Sequence, residues 1–119
     1  MGVSEQQIEE AFRNAGFVTS LEEDVRRELG IAPESFQNIM TSLVDQGRLV
    51  SLSEKVTYHQ DCVAQARKVV VDYIRQKRSI TVAELRDELG LTRKYTTALL
   101  EYFDSIFLTR RDGDRRVLR

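Results

Sequence analysis

The stretch LTRKYTTALLEYFDSIFLTRRDGDRRVLR, residues 91–119, decides the fold of this chain. Its first half predicts a helix, because Thr92 is a suitable N-cap and apolar residues follow at helical spacing. Its second half predicts two strands, residues 107–111 and 114–119, joined by a tight turn at Asp112 and Gly113. The apolar residues predicted to face a core are Tyr95, Leu99, Tyr102, Phe103 and Ile106.

Positive charge gathers at the start of this helix and at the turn of this hairpin. Arg93 and Lys94 fall in the first helical turn, where backbone N–H groups and the helix dipole favour an anion. The hairpin has two pairs of neighbouring arginines, Arg110 with Arg111 and Arg115 with Arg116. Strand alternation places the two members of a pair on opposite faces of the hairpin. One member of each pair should therefore face the helix, and the other should pair with an acid such as Asp112, Asp114 or Glu101.

The preceding chain shows the same order of elements twice. Helices are predicted from Ser4 to Gly16, from Ser20 to Gly30 and from Pro33 to Gly47, with a hairpin over 48–59 turning at Ser53 and Glu54. A second set follows, with a helix over Cys62–Lys77, a short edge strand at Ser79 and Ile80, and a helix capped by Thr81 and Glu84. Leu21, Val25, Leu85 and Leu89 are predicted to be buried.

An internal duplication connects these two sets. Leu29-Gly-Ile31 matches Leu89-Gly-Leu91, and Ile39 with Leu43 matches Leu99 with Phe103 at the same offset in the sequence. Three helices followed by a hairpin form a winged helix, in which the glycine-centred turn joins a helix-turn-helix. We therefore predict a mainly α protein with small β-hairpins, made of two tandem winged-helix domains over residues 1–60 and 61–119.

The composition is that of a globular protein, and the net charge of −1 conceals an asymmetry between its halves. Of the 119 residues, 41% are hydrophobic and 31% charged, and no apolar run approaches the ~20 residues of a membrane span. Residues 1–60 carry ten acids and five bases, a charge of −5, whereas residues 61–119 carry nine acids and thirteen bases, a charge of +4. The second half therefore suits an anionic partner.

The residues that usually form catalytic, cofactor or metal sites are sparse. There is one cysteine, Cys62, and one histidine, His59, so an internal disulfide is excluded and a four-ligand zinc site is not expected. The six glycines form no phosphate-binding loop. We therefore predict no enzymatic activity, no cofactor and no metal. The lone cysteine and the absence of a signal peptide predict a cytoplasmic protein.

The two predicted domains differ at the positions that would bind an anion. Where the second has Arg93 and Lys94, the first has Pro33 and Glu34. We therefore predict a basic nucleic-acid-binding second domain and an acidic first domain that acts as a spacer or docking unit. Two alternatives stay open, a regulator that binds duplex DNA and a protein–protein interaction module.

Three motifs resemble the C-terminus of the bacterial selenocysteine-specific elongation factor, SelB: Thr92-Arg-Lys-Tyr, Leu99-Leu-Glu-Tyr-Phe-Asp and the segment 109–119. The resemblance implies the last two winged helices of that factor, the last of which binds the selenocysteine insertion (SECIS) hairpin of an mRNA. It also implies a monomer that meets the ribosome through the full-length factor, and glycine would be expected where this chain has Phe107. The implied RNA-binding residues are Arg93, Lys94, Tyr95, Arg110, Arg111, Arg115 and Arg116.

Overall fold

The computed structural model describes residues 5–17, 22–53 and 56–119. The chain divides into two compact units, Met1–Val63 and Ala64–Arg119. Within the described residues, no helix is both long enough and apolar enough to cross a membrane. Some predictions fall outside the described residues: the caps Ser4 and Ser20, buried Leu21, and the turn residue Glu54.

The first unit has three helices followed by an antiparallel hairpin. Its apolar core includes Ile8 and Phe12 of the first helix, Val25 of the second, and Met40 and Leu43 of the third. These residues recur at helical spacing, which explains why each helix buries one face. The elements are α1 (Glu5–Ala15), α2 (Glu22–Leu29), α3 (Pro33–Asp45), β1 (Leu49–Ser53) and β2 (Val56–His59).

The second unit adds a third strand to its hairpin. The sheet order is β3-β5-β4, so the predicted short strand before α5 pairs with β5, at Ile80↔Arg116 and Thr81↔Arg115. Helix α4 begins in the first unit and continues into the second. The elements are α4 (Gln60–Lys77), β3 (Ile80–Thr81), α5 (Val82–Leu89), α6 (Arg93–Ser105), β4 (Thr109–Asp112) and β5 (Arg115–Leu118).

Local sequence explains the limits of α5. The Thr81 hydroxyl accepts a hydrogen bond from the Glu84 N–H, and the Glu84 carboxylate accepts one from the Thr81 N–H, which is the predicted capping box. Gly90 ends the helix with a left-handed φ of 68°. The helices also confirm the internal duplication, because α2 and α3 have the lengths of α5 and α6 and begin at the equivalent positions of the repeat.

The buried face of α6 differs in part from the prediction. Leu99 and Phe103 are fully buried as expected, and Leu85 of α5 is buried beside them in the same unit. Ile106 was expected inside but is 44% exposed, because α6 ends at Ser105 and the chain turns away there. Residues predicted to be buried but observed as half-buried are Leu89, Tyr95 and Tyr102. Residues buried without having been predicted are Thr96, Ala98 and Leu100.

The ends of α3 and α6 share one backbone arrangement with different residues. Leu43 and Phe103 accept hydrogen bonds from the N–H groups five residues later, Arg48 and Leu108. The intervening left-handed position holds Gly47 in the first unit, at φ 76°, and Phe107 in the second, at φ 63°. Phe107 was predicted to start a strand, and that prediction is wrong, since β4 begins at Thr109. A side chain in this conformation costs about 1–2 kcal/mol.

Candidate nucleic-acid interface

The start of α6 and the hairpin β4–β5 meet at one cavity of the second unit. Arg93 and Arg111 both line this cavity, which has a volume of about 320 Å³. Asp114 at the hairpin turn also lines it, so one carboxylate stands among the cations. The remaining lining residues are Thr81, Val82, Ala83 and Arg116. We call this site the Arg93–Arg111 cavity.

Strand register decides which arginines reach the cavity. Arg111 pairs with Arg116 across the hairpin, and Arg110 pairs with Val117. Because paired residues share a face and neighbours alternate, Arg111 and Arg116 project from one face and Arg110 from the other. The predicted separation of neighbouring arginines is therefore confirmed. Arg115 pairs with Asp112, on the Arg110 face.

Arg116 has a structural role in the wall of this cavity. Its side chain is 5% exposed, and its Nε and Nη2 donate to Asp104 Oδ2 at 3.2 and 3.1 Å. The other carboxylate oxygen, Oδ1, accepts from the Thr109 hydroxyl at 2.6 Å. One carboxylate of α6 thus holds both strands of the hairpin. An acid partner was predicted, but the structure places it on α6 at Asp104, not at Asp112, Asp114 or Glu101.

Two further arginines are held by neutral oxygens. Arg111 Nε donates to the Gly113 carbonyl at 3.0 Å, which fixes the side chain beside its own turn. Arg115 Nη1 donates to the Ser79 hydroxyl at 3.1 Å. The turn itself lies one residue later than predicted, since Asp112 pairs with Arg115 and leaves Gly113 and Asp114 as the loop. Gly113, at φ 65°, supplies the positive φ that a two-residue hairpin loop requires.

The first turn of α6 presents backbone donors as well as cations. Thr92 occupies the N-cap position as predicted, but its side chain makes no capping hydrogen bond. Its carbonyl accepts instead from the Thr96 hydroxyl, at 2.8 Å. The first N–H groups of a helix have no partner within the helix, so those of α6 suit an anion. The cavity is also lined by Val82 and Ala83, at the start of α5. The capping box at Thr81 predicted where α5 begins, but the sequence alone did not show that this helix start lies beside Arg93.

Lys94 and Tyr95 lie next to each other beyond the residues that line the cavity. The Lys94 Nζ is 5.8 Å from the centre of the Tyr95 ring, within the range of a cation–π contact. The ring is half-buried, so the prediction that Tyr95 belongs to the core holds only in part.

The cations around the cavity differ from Arg116 in their electrostatic environment. Among the residues that the structure describes, none of Arg93, Lys94, Arg110, Arg111 and Arg115 has a carboxylate within 4 Å of its charged nitrogens. Arg93, Lys94 and the hairpin arginines other than Arg116 are exposed. Their charge is therefore available to a ligand.

The first unit uses its charged residues internally. The buried His59 ring accepts the Asp61 N–H at Nδ1, so its proton lies on Nε2, which donates to Glu9 Oε2 at 2.9 Å. Arg48 Nη1 lies 3.1 Å from the other Glu9 oxygen. The hydrogen bond from His59 lowers the pKa of Glu9 below its usual 4.5; the Arg48 and Arg13 charges act in the same direction, and burial opposes them.

Three comparisons show which known proteins this chain resembles. Residues 72–118 match the family model described as elongation factor SelB, winged helix. The matched residues all lie within the second unit. The structure of the mRNA-binding domain of E. coli elongation factor SelB in complex with SECIS RNA aligns with a TM-score of 0.83 at 26% identity, covering 97% of this chain and 96% of that one. The predicted fold class, tandem winged helices with small sheets, is confirmed.

Longer SelB relatives show the same match in sequence. The selenocysteine-specific elongation factor of Escherichia coli (strain K12) is 29% identical over 81% of this chain, and that of Desulfomicrobium baculatum is 25% identical over 94%. This chain spans 16% and 18% of those two proteins, less than a fifth of each. The crystal structure of a bacterial selenocysteine-specific elongation factor, EF-Sec, shares the fold, with a TM-score of 0.78 at 22% identity over 97% of this chain and 18% of that one.

Proposed function

We propose that the second unit binds an mRNA hairpin of the selenocysteine-insertion type at the Arg93–Arg111 cavity. The observation that carries this proposal is that Arg93 of α6 and Arg111 of the hairpin line one cavity, without carboxylate partners among the described residues. A guanidinium can bind a phosphate or a guanine edge through two hydrogen bonds. The SECIS RNA bound by the E. coli relative supports RNA as the ligand class.

The size of the cavity suits a loop or bulge of folded RNA. The major groove of an RNA helix is too deep and narrow for side chains, so proteins recognise sequence at unpaired bases. A cavity of about 320 Å³ is at the lower end of the usual ligand-site volumes and can accept a single base or phosphate group. Phosphate contacts from Arg93, Lys94 and Arg111 would position the RNA, and one or two base contacts would supply specificity.

The face of the hairpin that carries Arg110 and Arg115 would extend this surface. Both residues are exposed, and Arg115 is steadied by Ser79. We assign them phosphate contacts along the flanks of the RNA, and Tyr95 a supporting contact next to Lys94. Arg116, which is bound to Asp104, would shape the cavity and leave the RNA contacts to its neighbours.

The similarity to SelB proteins supports a biological role. The chain would act as the mRNA-binding part of a cytoplasmic, selenocysteine-specific elongation factor, binding as a monomer and bringing that factor to the ribosome at UGA codons to be recoded. The first unit would be a spacer or docking unit, because its described arginines already pair with its own acids. No catalytic step is assigned to either unit.

The test is a binding titration of the full chain with the SECIS hairpin of E. coli, a loop-substituted hairpin and a duplex DNA of equal length. We expect tightest binding to a SECIS hairpin, and weaker binding as salt rises, with about 0.7–0.9 in the logarithmic slope for each phosphate contact. Because hairpin preference can differ between relatives, hairpins with varied loop and bulge bases are included.

Four results would count against the proposal. Equal affinity for all hairpins and for duplex DNA would indicate general anion binding, and a preference for duplex DNA would favour a transcriptional regulator. Affinity that does not change with salt would exclude the arginine contacts. Absence of binding to any nucleic acid would leave the protein-interaction alternative.

A further inference from the structure

Phe107 lies at the base of the hairpin, where the chain leaves α6, and exposes most of its ring. The ring is 67% exposed although the residue adopts a left-handed backbone conformation. The Arg119 guanidinium lies 4.6 Å from the ring centre. This stacked pair is therefore held at the surface, and the ring fills no part of the core.

A groove runs from this pair along α4. It has a volume of about 470 Å³, and all its lining residues belong to the second unit. The α4 residues recur every three or four positions, so they form one exposed stripe of the helix. The groove is lined by Ala64, Arg67, Lys68, Val71, Asp72, Arg75, Phe107, Leu108, Leu118 and Arg119. We call it the Phe107 groove.

The groove is strongly cationic. It contains four basic side chains and one acid, Asp72, whose carboxylate accepts from Lys68 at 2.8 Å. Within the described part of the chain, Arg67, Arg75 and Arg119 have no carboxylate within 4 Å. Three cations without acid partners beside an exposed ring match the chemistry of a single nucleic-acid strand, which offers phosphates and flat bases.

We propose that the Phe107 groove binds a single-stranded segment of RNA adjoining the hairpin, with one base stacked on Phe107. This inference rests on the proposed function and adds a second contact to it. The groove and the Arg93–Arg111 cavity lie at opposite ends of the hairpin β4–β5. A strand of four residues spans about 13 Å, so one RNA could reach both sites.

The first unit shows that the fold does not need an aromatic residue here. Gly47 adopts the same conformation with the same backbone hydrogen bonds. Phe107 thus adds strain and an exposed ring without a gain in packing. A ligand-binding role accounts for both features, since the ring stays accessible and Arg119 orients it.

The test uses the full chain with the tightest-binding hairpin of the preceding titration, alone and with a six-nucleotide single-stranded extension at its 5′ or 3′ end. We expect one extension to raise affinity about fivefold to tenfold, the contribution of one stacked base. Phe107→Gly should reduce that gain to less than twofold, because it removes the ring while suiting the backbone. Phe107→Tyr should keep the gain in affinity from the extension. Arg75→Gln should reduce both this gain in affinity and the dependence of the gain on salt concentration.

Affinity for the hairpin without an extension should stay within twofold in all three variants. No gain from either extension, or an undiminished gain in Phe107→Gly, would overturn the inference while leaving hairpin binding intact. If no hairpin binds, the proposed function fails, and a hexanucleotide carrying 2-aminopurine tests the groove alone. Fluorescence quenching that is lost in Phe107→Gly would support stacking, whereas absent or unchanged quenching would reject it.

Discussion

The two units share the lengths of their second and third helices but use arginine in different ways. Every arginine of the first unit, Arg13, Arg26, Arg27 and Arg48, lies within 4.0 Å of a carboxylate. In the second unit, Arg93 and Arg111 line one cavity. Among the described residues, neither has a carboxylate within 4.0 Å of its charged nitrogens. The difference teaches that binding potential depends on which cations lack an acid partner, more than on how many are present.

The last turn of the third helix also differs between the two units. Val44 in the first unit corresponds to Asp104 at the equivalent position of the second. The aspartate holds Arg116 and Thr109, so one arginine stabilises the hairpin and leaves Arg111 to the cavity. Two arginines that pair across the hairpin therefore have different roles: Arg116 is structural, and Arg111 is proposed to bind the ligand.

The largest expected effect tests the division between paired and unpaired arginines. Combining Arg93→Gln with Arg111→Gln should weaken hairpin binding about 100-fold, since a hydrogen bond to a charged group contributes about 1.5 kcal/mol or more. Titrations at several salt concentrations should show a logarithmic slope lower by about 1.4–1.8. The matched control, Arg27→Gln in the first unit, should change affinity less than twofold. Equal losses in both variants would mean that only total charge matters.

The next effect concerns the hairpin anchor. Asp104→Ala should lower the free energy of unfolding of the second unit by about 2 kcal/mol, because it leaves the buried Arg116 charge unpaired. The loss should be smaller than for a fully buried ion pair, since the Asp104 side chain is 26% exposed. Hydrogen exchange of backbone amides in β4 and β5 would measure it. Asp87→Ala, which removes an exposed partner of Arg86, should change stability by less than about 0.5 kcal/mol. Similar results for both would show that the anchor contributes little.

A smaller effect compares the two left-handed positions. Gly47→Ala should destabilise the first unit by about 1 kcal/mol through backbone strain alone, because a Cβ there would meet no atom within 4 Å. Phe107→Gly should stabilise the second unit by up to about 1 kcal/mol, because it relieves the backbone strain. The loss of the cation–π contact between the ring and Arg119 should reduce this gain in stability. Urea unfolding of the two variants would measure these changes. A loss of stability in Phe107→Gly would mean that the ring supports the fold.

The smallest expected effect is a pH dependence specific to the first unit. The pKa of Glu9 is lowered in the folded state, so its charge stabilises the unit at neutral pH, and this contribution is lost as the pH falls below 4.5 toward the folded value. Glu9→Gln should make the stability of residues 5–17 less dependent on pH over that range. Hydrogen exchange between pH 6 and pH 3 would show whether wild type and variant differ.

Much of the fold could be predicted from local patterns. The glycine stops, the Thr81–Glu84 capping box and the internal repeat predicted helices that the structure contains. Ile106 was misassigned because helical spacing cannot show that α6 ends one residue earlier. Phe107 was misassigned because a left-handed conformation is not expected of an aromatic residue.

The candidate site was predictable in its residue types and only partly in its arrangement. Alternation along a strand correctly separated Arg110 from Arg111. The partner of Arg116 could not be predicted, since Asp104 comes close only when the hairpin folds back on α6. The half-buried ring of Tyr95 and the missing side-chain cap at Thr92 depend on rotamers that no spacing rule determines.

The carboxylate that joins α6 to both strands of the hairpin also has a kinetic consequence. Asp104 holds the hairpin against the helix without RNA, and the Gly113 carbonyl holds Arg111, so the hairpin and this guanidinium are already in place before an encounter. Association should then be limited by diffusion and electrostatic steering, and no slow rearrangement should precede it. A mobile hairpin would lose conformational entropy each time it bound a ligand. The anchored hairpin would bind the proposed RNA quickly and release it at a rate set by the contacts alone.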